Sequence, residues 1–158
     1  MTTAHASPQH RAATAIPAHA MFGAAGGIVG GVAFGIMMQV WDMMPMIAML
    51  VDSTSTAVAW VVHLAISAFV GITFALLAGH RAAKMMPAAA LGLAYGAIWW
   101  VLGALWLMPA KLSMPVFEVN EMAWKSFAGH LVYGLLLGLA YSCIHQVMHR
   151  DGTRSASS

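Results

Sequence analysis

The sequence predicts an all-α fold, a polytopic bundle of four transmembrane helices, on two observations. Hydrophobic residues make up 61% of the 158 and charged residues only 8%, with a mean hydropathy of +0.78. Water-soluble domains run at roughly 45–50% apolar and about 25% charged, so a soluble core of this composition would lack polar surface to cover it. The second observation is that Lys, Arg, Asp and Glu are absent from residues 12–41, 53–80, 85–110 and 126–149. Each gap exceeds the ~20 residues that cross about 30 Å of hydrocarbon at about 1.5 Å per residue. The segments are continuously apolar instead of alternating, which excludes a transmembrane β-barrel.

Residues 1–20 carry His5, His10, His19, Pro8 and Pro17 among Ala and Thr, with no amphipathic period and no apolar h-region. They are expected to form a mobile cytoplasmic tail with solvated histidines, followed by an uncleaved first span. A single transmembrane domain over 21–149 holds spans at 22–40, 57–78, 88–108 and 127–147, and 150–158 form a second cytoplasmic tail. Between spans, Asp52 to Thr56 offers N-cap candidates for the second helix. Pro109 to Asn120 makes the longer connection, stiffened by Pro115. Trp41, Trp60, Trp106 and Trp124 fall near span ends, where an interfacial aromatic belt belongs.

Charge sets the orientation. Arg11, Arg81, Lys84, Arg150 and Arg154 share the side of the termini, whereas Lys111 and Lys125 lie opposite with Asp42, Asp52, Glu118 and Glu121. The positive-inside rule then places both termini in the cytoplasm. A net charge of +2 from so few groups suits anionic lipid and offers no basic stripe, so the bilayer is the expected partner and nucleic acid is not. Cys143 is the single cysteine, which rules out an intrachain disulfide, and it reads as a small buried apolar residue.

Internal repetition suggests a duplicated helical hairpin. His63, Leu64, Ser67, Gly71, Ile72 and Phe74 align with His130, Leu131, Gly134, Gly138, Leu139 and Tyr141 at a shift of 67, and Met44-Pro45 with Met108-Pro109 at a shift of 64. Small residues also recur at helical spacing: Gly23, Gly27, Gly31 and Gly35; Ser67, Gly71, Ala75 and Gly79; Gly92 and Gly96; Gly134 and Gly138. Spacing of i, i+4 gathers each set on one face, where backbones approach closely. These stripes predict a tight bundle, or a seam for a second copy or a membrane-protein partner.

His63 and His130 lie on the same stripes, and Gln39 with Asp42 one turn beyond is expected to reach their layer. In one reading this polar cluster fixes helix register through hydrogen bonds. In another, the two equivalent imidazoles face one another across the repeat axis and hold a haem iron or relay protons. Met43, Met46 and Met49, with His63 nearby, offer soft ligands for copper(I), or fill irregular apolar space. No Walker A, G-x-S-x-G or H-E-x-x-H pattern occurs, so a non-catalytic protein without a cofactor is expected, with haem or copper as the alternative.

Gly92, the Met108-Pro109 ending, Pro115, Phe117, Glu121 and the element Gly129-His130-Leu131-Val132 before a glycine-rich helix together resemble YagU-like bacterial inner-membrane proteins and related small four-helix families. The resemblance covers about residues 90–141. It implies the bacterial cytoplasmic membrane as location and transfers no catalytic residues. Two functions follow as expectations: a scaffold or accessory subunit packed through glycine faces, or a protein handling a small solute, protons or a metal through Gln39, His63 and His130.

Overall fold

A computed structural model describes residues 8–154, and side chains from Ala18 to Met148 apart from that of His80. Residues 1–7 and 155–158 of the expected tails lie outside the described residues. The elements are α1 (Pro8–Val40), α2 (Met44–Met49), α3 (Thr56–Ala78), a 3-10 turn (Gly79–Ala82), α4 (Met85–Trp99), α5 (Met108–Lys111) and α6 (Glu121–Arg154). A π-helical segment, Trp100–Leu107, joins α4 to α5. The described residues contain no strand. Four stretches are long and apolar enough to cross a membrane: Ala18–Val40, Thr56–Ala78, Met85–Lys111 and Glu121–Met148.

Within the described residues, helix reaches into both expected tails. Helix α1 already begins at Pro8 and α6 continues to Arg154, the first through an alanine-rich stretch of high helix propensity. His19 is half-buried on α1, its ring centroid 5.7 Å from that of His145, so it is not the solvated tail residue expected.

Three connections at one end of the bundle stop their helices in the same way. Asp42, Asp52 and Ser113 have φ of 54°, 53° and 56°, and around each the backbone closes a Schellman cap. Met43 N–H donates to Met38 O at 2.8 Å, Ser53 N–H to Ala48 O at 3.1 Å and Met114 N–H to Pro109 O at 2.9 Å. Ser55 then caps α3 by accepting from Val58 N–H at 3.5 Å. Pro45 occupies the first turn of α2, where a missing N–H is harmless. Pro109 lies inside the continuous third span Met85–Lys111 and deprives Leu105 O of its α-helical donor, and Phe117 N–H from the following loop supplies one at 2.7 Å.

Glycine decides how the long helices meet. A Cβ at Gly23 or Gly27 would collide with the backbone of Gly71 or Ser67, and one at Gly92, Gly96 or Gly134 with the backbone of Gly134, His130 or Gly92. These contacts run in opposite chain directions, so α1–α3 and α4–α6 are antiparallel pairs. Gly26 and Gly30 lay the opposite face of α1 on Leu137 and Tyr133 of α6. The helices therefore stand in the order α3, α1, α6, α4, and the outer members α3 and α4 scarcely touch. Gly31 packs on the Ser67 side chain and Gly35 on the Trp60 ring.

Gly79 departs from the packing role expected of it. It ends α3 with φ +46° and faces open space among the described residues, so its value is conformational. Cys143, expected to be buried, lies exposed on the outside of α6.

Candidate functional site

The gap between α3 and α4 holds a cavity of about 410 Å³. Phe34 of α1 and Tyr133 of α6 form its back, Ile66 and Val70 of α3 one wall, Trp99, Gly103 and Leu107 the other, and Met43, Ile47 and Leu50 around α2 close one end. At the other end the Thr73 and Tyr95 hydroxyls lie 2.6 Å apart, and Tyr95 donates to Val70 O at 3.1 Å, joining the two helices. Phe69 and Leu107 line the cavity yet are 58% and 50% exposed. The cavity thus meets the outer surface of the bundle sideways, between two spanning helices.

The π-helical segment shapes that wall. Its wider turn, with Met108 N–H donating to Gly103 O, replaces the tighter α register beside the cavity, and such segments are frequent at functional sites. Gly103 adds no bulk there: Trp99, at 3.9 Å from a Cβ built on it, is its nearest neighbour. The Trp100 indole N–H anchors the segment to Ala123 O at 2.9 Å.

A narrow polar strip crosses the apolar back wall. His63 Nε2 lies 2.9 Å from Gly31 O, and His130 Nδ1 lies 2.8 Å from Ser126 O and 3.3 Å from Ser126 Oγ. Ser67 donates to His63 O at 2.7 Å, and Tyr133 to Ser67 O at 2.7 Å. Tyr133 thereby ties α6 to α3 across the bundle. Phe34 stands edge-on to both imidazoles, with ring centroids 5.5 Å from His63 and 4.9 Å from His130. It is held there by Gly129, where a Cβ would overlap the Phe34 ring.

The expected polar layer is divided. His63 and His130 line the same cavity, with the Phe34 ring packed on both instead of an open axis between them. Gln39 is exposed and accepts from the Trp60 indole at 3.3 Å, while Asp42 is exposed at the left-handed position of the first cap. Among the three spaced methionines, Met43 is buried and lines the cavity together with His63, Met46 is half-buried and Met49 is 50% exposed. Met38 of α1, Met43 of the connection that follows it and Met108 of α5 line the cavity. Among the described residues no three His, Cys, Asp or Glu side chains gather as metal ligands.

The chain matches no protein-family model, no curated protein and no solved structure. The site is accordingly read from its own chemistry.

Sequence reasoning missed Phe34 and Tyr133, and read Ser126 only as a small residue on the packing stripe of the fourth span. Tyr133 was within reach, since it lies three residues after His130 and so on the same helical face. It also missed the grouping of His19, Tyr141 and His145 at the far end of the bundle, whose ring centroids lie 5.7 to 6.4 Å apart. Among the described residues no Asp, Glu, Lys or Arg side chain lines the cavity. Its walls are mostly apolar, crossed by the strip of His63, Ser67, Ser126, His130 and Tyr133, and suit a neutral, mostly apolar molecule.

Proposed function

We propose that this chain is a non-catalytic membrane protein that holds an apolar small molecule, drawn from the bilayer, in the cavity between α3 and α4. The observation that carries this reading is the sideways opening of a cavity of about 410 Å³, within the size range of small-molecule sites, between spanning helices that scarcely meet. At that depth the neighbouring solvent is lipid, so an apolar ligand enters without crossing water. In the scaffold reading, glycine faces dock helices of the same chain or of a partner. Those at Gly23, Gly27, Gly92, Gly134 and Gly138 are occupied by other helices of the same chain.

The resemblance to YagU-like proteins suggests the bacterial cytoplasmic membrane as its location, and the distribution of Arg and Lys supports both termini on the cytoplasmic side. It is built from a duplicated hairpin whose copies are related by a pseudo-two-fold axis along the membrane normal. Parallel contacts support the duplication: Gly27 meets Ser67 as Gly92 meets Gly134, and Gly23 meets Gly71 as Ala88 meets Gly138.

Native mass spectrometry of chain purified in mild detergent from bacterial membranes tests the binding reading. One apolar molecule per chain is expected on the wild type and is lost from Ala104→Phe, whose ring would fill the cavity. No retained molecule, or equal retention by the variant, overturns it.

A further inference from the structure

The polar strip has an uneven supply of donors and acceptors. Carbonyl oxygens only accept, so the nitrogens facing Gly31 O and Ser126 O must carry the hydrogens. In a neutral imidazole the other nitrogen is then a lone-pair acceptor. For His63 the protonated nitrogen is Nε2, at the ring tip, and the acceptor Nδ1 lies back at the ring base. His130 is reversed: Nδ1 is engaged one helical turn back with Ser126, and the acceptor Nε2 sits at the tip of a ring that lines the cavity. Ser67 and Tyr133 direct their hydroxyl hydrogens to backbone carbonyls as well, and the Ser126 hydroxyl stands beside His130 Nδ1.

We infer that the cavity selects an apolar molecule bearing one neutral hydrogen-bond donor, an alcohol or phenol, whose O–H donates to Nε2 of His130. This rests on the binding reading above and adds the class of head group. Recognition needs no charge, in keeping with a cavity that no Asp, Glu, Lys or Arg side chain lines among the described residues. An acceptor left alone in an apolar wall is costly, so a ligand that supplies a donor gains over one of the same shape that cannot. The two imidazoles, equivalent in sequence, are thereby given different tasks: His63 fastens α3 to α1 through Gly31, and His130 faces the ligand.

The test compares 1-hexadecanol with methyl hexadecyl ether, which has the same chain and oxygen but no donor, binding to the full chain in lipid nanodiscs. The alcohol is expected to bind about ten-fold more tightly, and His130→Phe is expected to bring the two to parity by weakening the alcohol alone. Should that variant fail to fold, ¹⁵N NMR of histidine-labelled wild type reads the same contact. The unprotonated His130 nitrogen is expected to move upfield with the alcohol and to stay in place with the ether. Equal affinities, or an unmoved resonance with the alcohol bound, overturn the donor assignment while leaving the cavity as a binding site. Binding of neither compound overturns both readings.

Discussion

A methyl group at Gly92 or Gly134 would meet the opposing backbone, whereas one at Gly79 would meet only open space at a φ of +46°. The two kinds of glycine should therefore lose stability for different reasons. Gly92→Ala and Gly134→Ala are expected to lower stability by about 1–3 kcal/mol, because neither backbone can yield without parting α4 from α6. Gly79→Ala should cost about 1–3 kcal/mol from backbone strain alone, at φ +46° and ψ −131°. Denaturant titration in detergent measures each loss, and an unchanged stability for either kind of variant would remove the account given for it. Asp42 presents the reverse case, a non-glycine residue at φ 54° with an exposed side chain. Asp42→Gly is expected to stabilise the first cap by about 0.5–1 kcal/mol; a loss of stability would show that the carboxylate has a role the cap geometry does not reveal.

The third spanning helix is the element with most internal conflict. Its π-helical turn lines the cavity, and Pro109 leaves Leu105 O to be satisfied by Phe117 N–H from the loop that follows. Loop and helix are thus coupled through one carbonyl. Pro109→Ala restores a helical donor to compete for Leu105 O. The Phe117 amide should then exchange with solvent about five-fold faster, since a net backbone hydrogen bond contributes about 1 kcal/mol. Unchanged exchange would mean that the loop is held by its own packing. The first spanning helix avoids this conflict by stopping at the Asp42 cap before Pro45, so its proline lies in a separate short helix.

For the whole molecule, the row α3, α1, α6, α4 leaves its two ends apart except around Tyr95, which meets Val70, Thr73 and the Phe74 ring, and the cavity is the consequence. Orientation in the bilayer is open to direct measurement. In a Cys143→Ser background, Ser53→Cys is expected to react with an impermeant maleimide on intact cells, and Lys84→Cys only after the membrane is opened. The reverse pattern would invert the topology that the basic residues imply.

The number and placement of the spanning helices were legible in the sequence, because hydropathy and missing charge are local properties that a helix must satisfy by itself in lipid. A cap for the second span between Asp52 and Thr56 was legible for the same reason, since a cap needs only its neighbours, and the structure selects Ser55 among the candidates. The site was legible in part. His63 and His130 stood out as polar groups in apolar helices, but their separation from Gln39 and Asp42, the Phe34 ring between them and the cavity they share arise from packing between helices distant in the chain. Helical spacing tells which residues share a face and not which face meets which neighbour. That choice rests on backbone approach at the glycines, summed over every contact at once, and only the tertiary structure decides it.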